Sequence, residues 1–577
     1  MSEHPSVGFQ ITSTPDRTAV EAPVPGPSER AVGGAFRLAL VANLDPQAPV
    51  PDWPDGQRVW SVDADTFAER MRTHGPRLEV PVGEGPALAW TADALDAFTP
   101  AGIAARVPAL AATVAARDAL ADAADGTLTL DALRQRLHDT GVAGADGLAD
   151  AVAKRDTPAN HDDGALDALL GLVDMGDART PALDALIGAA APSGDLDRTA
   201  ARTLAERLAE RLRAPLAAAI AHPDVRRAEA GWRGLKMLIG RLDFRKGARL
   251  DVLAAPKHAV AEAVHFQILL PEHAAPGAVP LAAVVVAHDV EATSADLDAL
   301  VDLAGSGESL QVPVVVGAGA AFFGLDGPTD FAKLPPATAH LQRPEYATFR
   351  SLRSRPEAAF LALAVPPFLL RHAYGPDHRD PAFGIEGGDR LWGSAALLVA
   401  CAMAHAHRER AWPTAAAGQA VPDLVVRQGR MGALPLATSF PDGVLADLAR
   451  AGVLAFAGPL RSDRAVLGSS AMAAAPTGEQ PTWGAAVLSA LAGSRAVAVG
   501  EEAAGMATED AVALVEQRFR AFFGPEGAAE DAVTVQHLEE HDTETFRMLG
   551  VRLRPPSTVL PRSVGIVFGV EVPTDGG

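Results

Sequence analysis

The 577-residue chain contains one cysteine, two tyrosines and lysine at only five positions, 154, 236, 246, 257 and 333. A lone Cys401 forms no internal disulfide, which excludes a disulfide scaffold and fits a reducing, cytoplasmic setting. No stretch of about 18 residues is uninterruptedly apolar, so no bilayer-spanning segment is expected. The first residues, MSEHPSVGFQITSTPDR, lack a basic segment leading into an apolar run, so no secretory signal is expected. There is no Gly-Lys dipeptide, hence no Walker-type phosphate loop, and no Gly-x-Ser-x-Gly nucleophile elbow. Positive charge is also short: fifty Lys+Arg face 72 Asp+Glu, a formal net charge of −22. A nucleic-acid binder needs a concentrated cationic footprint, and a chain this acidic shows none, so nucleic acid is excluded as a partner.

What is present is an ordinary globular composition, 48% apolar and 21% charged, with a mean hydropathy of +0.10 that comes from an alanine bias. At roughly 100–200 residues per domain, the length suggests three or four domain-sized units. Residues 1–35 read as a flexible N-terminal arm: a strand-like Val7 to Ile11, including Phe9, followed by a Pro/Gly/Ser-rich tether. Residues 36–122 read as a small α/β unit containing the strands FRLALVANLD, LEVPV and ALAW. It closes with a helix beginning at Pro100, whose stripe Ile103, Val107, Leu110 and Val114 is amphipathic. Residues 123–195 read as a linker carrying short helices, without a core of its own.

From 196 to 577 the pattern is a larger α/β region, big enough for two domains. It opens with a charged helix from Asp197 towards Ile220. The expected strands are ARLDVLAA, VHFQILL, PLAAVVVAH, VPVVVGAG, AAFLALAVP and SVGIVFGVEV. Helices between several of these predict mixed or parallel sheets, and thus an α/β (α+β) fold.

Three motifs invite chemistry. HLEEH, residues 537–541, matches H-x-x-E-H; on a helix His537 and His541 would share a face as a zinc pair, with Glu540 as base. The bland alternative, a solvated acidic turn, is favoured about nine to one. Cys401 and His405 are i, i+4, but their flanks are so apolar that core packing is the stronger reading. Gly317-x-Gly319 follows a strand as a dinucleotide fingerprint does, yet Phe322 stands where a third glycine belongs. The expectation is no catalytic site, no metal and no cofactor.

Two stretches carry a family resemblance. AHPDVRRAEAGWRGLKML supplies His222, Pro223, Asp224, Glu229, Trp232, Arg233, Gly234 and Leu235. In register behind it come Tyr346-x-x-Phe349-Arg350, FLALAVPPFLLRHAYG, the step Leu391-Trp392-Gly393 and LRPPSTVLP. This series resembles the large subunit of the type VI secretion contractile sheath (TssC, VipB-like) over about 200–573, with 380–545 divergent. Upstream, Val62-Asp63-x-Asp65-x-Phe67, Pro76-Arg77-Leu78, Asp96-x-Phe98-Thr99-Pro100 and Val107-Pro108-x-Leu110 resemble the small sheath subunit (TssB, VipA-like). The combined resemblance is to a natural fusion of the two.

That resemblance implies a structural protein that polymerises as stacked helical rings around an Hcp tube on a baseplate, contracts to propel the tube, and is recycled by the AAA+ ATPase ClpV. It also implies protomers joined by β-strand addition through terminal arms. Val7, Phe9 and Ile11 are then the expected arm strand. Ile103, Val107, Leu110 and Val114 are the expected docking stripe between the two halves, and Ala165–Val173 is the candidate ClpV helix. Trp232 and Trp392 are expected in the core. Two alternatives stand beside this reading: a sheath-like accessory or cap that does not polymerise, and a zinc hydrolase using His537 and His541. Acidic protomers of charge −22 must also overcome mutual repulsion to stack.

Overall fold

A computed structural model describes residues 10–12, 35–83, 85–153, 195–274, 278–375, 378, 380, 382–386, 389–429, 432–475, 481–524, 529, 531–561 and 564–574. Val7, Phe9 and Ala165–Val173 lie outside these residues.

The centre is a nine-stranded mixed sheet flanked by helices, the α/β class read from the sequence. Across it run Ala420–Val421, Ala465–Ser469, Val453–Ala457, Leu361–Val365, Val314–Ala318, Leu281–Val290, Phe36–Ala42, Ala248–Ala254 and Trp60–Ser61. The six strands from Val453–Ala457 to Ala248–Ala254 are mutually parallel; the remaining three add antiparallel. Parallel strands buried on both faces read as unbroken apolar runs, which LAAVVVA and VVVGA are.

The most informative strand is Phe36–Ala42. It lies between Ala248–Ala254 and Leu281–Val290 and pairs in parallel with both. Its side chains alternate between two cores: Phe36, Leu38 and Leu40 enter one, and Ala39 and Val41 enter the other. Arg37 bonds Asp251 of the neighbouring strand at 2.8 Å and also pairs with Glu272. The small α/β unit read at 36–122 therefore supplies an inner strand to the large sheet.

Several local expectations need correction. VHFQILL forms no strand: Val260–Val264 is α-helix and His265–Leu269 continues it as a π-helical turn. A seven-residue apolar run fits either state by pattern alone. Here Val264, Ile268 and Leu269 bury one face against the second core. The single helix expected from Pro100 is two, Pro100–Arg106 and Pro108–Ala124, because Pro108 stands at the first turn of the second. From residue 123 the composition predicts helices without a core of their own. Leu130, Leu133, Leu137, Leu148 and Val152 instead pack with Leu120, Leu204 and Leu208 in a separate apolar cluster.

A four-stranded antiparallel sheet closes the fold, ordered Gln10–Thr12, Gly565–Pro573, Phe546–Leu553, Val533–His537. Gln10–Thr12 is an edge strand, pairing among the described residues only with Gly565–Val567. The helix Trp483–Glu502 is long and apolar enough to cross a membrane, but 72% of its apolar window is buried inside the protein, as befits a core helix.

Candidate functional site

The residues that carry the family resemblance converge on one helix, Pro223–Ile239. His222 caps it, its Nδ1 accepting the Asp224 N–H at 3.3 Å, and Pro223 occupies the first turn, where no N–H is needed. One side of the helix meets the N-terminal segment. The Trp232 indole N–H donates to the Leu44 carbonyl at 3.1 Å. Its ring lies 6.2 Å from Trp60 and 6.1 Å from Phe67, and Lys236 Nζ sits 4.7 Å from the centre of the Phe67 ring. Gln47 reaches Asp224 at 3.2 Å and the Glu79 carbonyl at 2.9 Å. Trp232, fully buried, is thus enclosed by residues from the first 70 of the chain.

The other side holds a buried ionic cluster. Glu229, 1% exposed, takes a two-pronged contact from Arg371, 5% exposed, at 2.8 and 2.9 Å. Arg233, one turn along, donates to the same carboxylate at 2.7 Å. Burial works against the Arg371 charge, and the hydrogen bonds to Glu229 outweigh it, so the guanidinium is held above its usual pKa. Its carbon lies 4.8 Å from the centre of the Tyr374 ring. Burial pushes the Tyr374 hydroxyl up to about 12, and that oxygen has no hydrogen-bond partner among the described residues.

Close approach explains the glycines. A Cβ on Gly234 would lie 2.5 Å from Leu397 of the Ala395–Arg410 helix, and one on Gly393 would lie 2.7 Å from the Phe368 ring. Leu391 is buried, and Trp392, half-buried, sits opposite Leu369 where strands Phe368–Arg371 and Leu391–Gly393 pair. Steps separated by more than 130 residues in sequence therefore form one packed unit. The Glu229–Arg371 pair clamps the helix to the Phe368–Arg371 strand, and Arg233, on the same helix, adds a second guanidinium to the carboxylate.

The remaining candidates are placed as follows. Ile103, Val107 and Leu110 are buried and Val114 is partly so. They belong to the main core together with Leu212, Leu216 and Ile220, and the Pro108–Ala124 helix packs along Arg198–Ala221. Ile11 lies in the Gln10–Thr12 strand. Cys401 is buried, its thiol pushed up to about 11 by desolvation, which makes it unreactive. A Cβ on Gly317 would strike Asp289 and Ser394 at 2.1 Å, and Phe322 is buried among Phe323, Tyr346 and Phe349. No phosphate could approach that backbone as a dinucleotide turn requires.

The helical zinc pair is overturned. His537 ends the strand Val533–His537, and His541 closes a single 3₁₀ turn, so the two do not share a helix face. His537 Nε2 instead bonds Asp542 at 2.8 Å. Asp542 anchors the turn through the Met548 N–H, which with His537 holds its carboxyl below the usual range. No group of three or more His, Cys, Asp or Glu suited to a metal exists among the described residues. Arg371 and Tyr374 belong to FLALAVPPFLLRHAYG, a segment whose motif assigns neither a role. The signal was there: one arginine inside the apolar run FLALAVPPFLLR needs a buried anion.

Comparison with known proteins bears on the same residues. Residues 202–444 match the family profile VipB, described as EvpB/VC_A0108, tail sheath N-terminal domain. The type VI secretion system sheath protein TssC1 of Pseudomonas aeruginosa is 23% identical over 201 residues, covering 31% of this chain and 40% of that protein. The matched stretch thus spans less than half the length of that relative. A chain of the anti-feeding prophage baseplate, solved by cryo-EM, overlaps 58% of this chain and 75% of its own, with 10% identity and a TM-score of 0.32. The chain therefore carries a region similar to the large subunit of a type VI secretion sheath.

Proposed function

We propose that this chain is a structural protomer of a contractile sheath, with small-subunit-like and large-subunit-like parts in one polypeptide. The observation that carries the reading is the inner position of Phe36–Ala42 within the sheet of the sheath-like region, together with the enclosure of Trp232 by Leu44, Trp60 and Phe67. A fused partner that supplies a central strand is bound in fixed one-to-one ratio, and its docking is intramolecular, at an effective concentration of order mM for a suitable linker. The further elements of the proposal follow from the resemblance: stacked rings of this chain in the bacterial cytoplasm, an Hcp-type inner tube, a baseplate, and disassembly by a ClpV-type ATPase. The chain's own role is mechanical, and no enzymatic step is assigned to it.

The test is negative-stain microscopy of the purified full-length chain. Hollow tubes are expected; discrete particles at every concentration would favour the non-polymerising accessory. No observation favours the zinc hydrolase.

A further inference from the structure

The terminal antiparallel sheet has two unlike faces. Leu549, Val551, Leu553, Ile566, Phe568 and Val570 point into the main core. The other face forms a groove of about 470 Å³ floored by Leu538, Phe546, Met548 and Val567. At its centre Gly550 and Gly569 stand opposite each other in register, and the Leu538 side chain lies over Gly550, where a Cβ would meet it at 2.9 Å. Its rim is acidic. Glu539, Glu540, Asp542 and Glu544 are all exposed on the turn beside it, while Arg552 and His541 line the groove itself.

A surface of opposite sign lies elsewhere on the chain, where the end of the Pro223–Ile239 helix meets the end of Ala395–Arg410. Lys246 Nζ donates to the Arg408 carbonyl at 2.9 Å, and Arg408 donates to the Arg241 carbonyl at 3.0 Å. Arg245, Arg249, Arg408 and Arg410 are exposed and form no ion pair among the described residues.

We propose that the groove receives this basic corner from a second copy of the chain. Arginine stems are apolar and their heads cationic, so they suit an apolar floor with a carboxylate rim. Groove and corner are different surfaces of the same molecule, so the contact is head-to-tail, and a head-to-tail contact that does not close propagates as a filament. It also answers the repulsion between chains of charge −22, since the docked surfaces bring opposite charges together. The inference rests on the self-assembly proposed above and names the surfaces that would carry it.

The experiment follows assembly of the full chain by sedimentation velocity and negative stain over rising NaCl. The triple variant Glu539→Lys/Glu540→Lys/Glu544→Lys and the double variant Arg245→Glu/Arg410→Glu should each raise the half-assembly concentration at least tenfold at low salt, with unchanged melting temperature. Combining all five substitutions should return it to within threefold of wild type. Thr534→Trp, which blocks the exposed face without changing charge, should also weaken assembly. Reversed variants that assemble as wild type does, a combination no better than its parents, or an inert Thr534→Trp would each overturn the docking. Tubes from wild type and variants alike would reject this contact and leave the sheath reading standing. Salt-sensitive oligomers without tubes, lost in the variants, would do the opposite. A wild type that stays monomeric throughout would reject both.

Discussion

Two of the strands by which the N-terminal part of the chain touches the rest are of opposite character. Phe36–Ala42 has seven residues, two parallel neighbours and side chains in both cores. Gln10–Thr12 has three residues and one neighbour at the rim of the terminal sheet. A segment held on both edges and both faces leaves only when the molecule unfolds. A three-residue edge pairing opens locally at small cost, well below the global stability. The first strand is therefore part of the body, and the second is a fastening.

The harshest way to break this contrast is to charge the inner strand. Leu38→Asp or Leu40→Asp places an unpaired carboxylate in the core, and the expected outcome is loss of soluble, folded protein on expression. The same substitution at Ile11 should leave a cooperative melt close to wild type. Equal tolerance at the two sites would erase the distinction.

Next come the ionic clusters that hold the body together. Removing one partner of a buried pair leaves an uncompensated charge and costs about 3–5 kcal/mol, so Arg371→Met or Glu229→Leu should lower urea stability by that order. The double replacement should recover much of the loss, because two apolar groups need no counterion. Arg37→Met acts on the inner strand itself by removing the guanidinium that pairs with Asp251 and Glu272. That cluster is more exposed, and about 2 kcal/mol is expected after allowing for solvent screening.

Acid sharpens the same comparison. His407, whose ring lies 4.8 Å from that of Phe36, and His288 on the adjoining strand are both depressed to about 4 by burial. The unfolded chain takes up these protons near pH 6.5 while the folded chain resists until about 4. Stability should therefore fall as pH drops through that window, by at most about 3 kcal/mol for each imidazole. Urea melts of wild type and His407→Phe at pH 7 and pH 4.5 check this: the variant should lose less on acidification. An identical loss would remove His407 from the account. The smallest effect belongs to the fastening. Deleting residues 1–34 should shift body stability by under about 0.5 kcal/mol, while hydrogen exchange quickens at Ile566 and its strand neighbours.

Much of this was legible in the sequence because burial writes itself into pattern. LAAVVVAH, VPVVVGAG and FRLALVA are runs that only doubly covered strands sustain, and the motif helix announced itself by His222-Pro223 and the glycines that let it approach its neighbours. Other features needed the third dimension. Nothing local in FRLALVA says that its partners begin at residues 248 and 281. VHFQILL carries no period that separates strand from helix. HLEEH matched a metal motif by spacing, but spacing has that meaning only on a helix, and the terminal sheet claims His537 as a strand end. Arg371 and Glu229 were each visible, yet their pairing spans 142 positions.

The segment around Phe36–Ala42 is built into the body of the sheet that the sheath-like region forms. This is tested most directly by inserting a specific protease site near Thr157–Asp163, cutting the folded chain and passing it over a sizing column without denaturant. Ala153 and Leu196 are bridged at the ends of that stretch, so cleavage leaves every pairing of Phe36–Ala42 in place. Co-elution of the two fragments, with the amides of Phe36–Ala42 still protected from exchange, is the predicted result; separation into two folded pieces would contradict it.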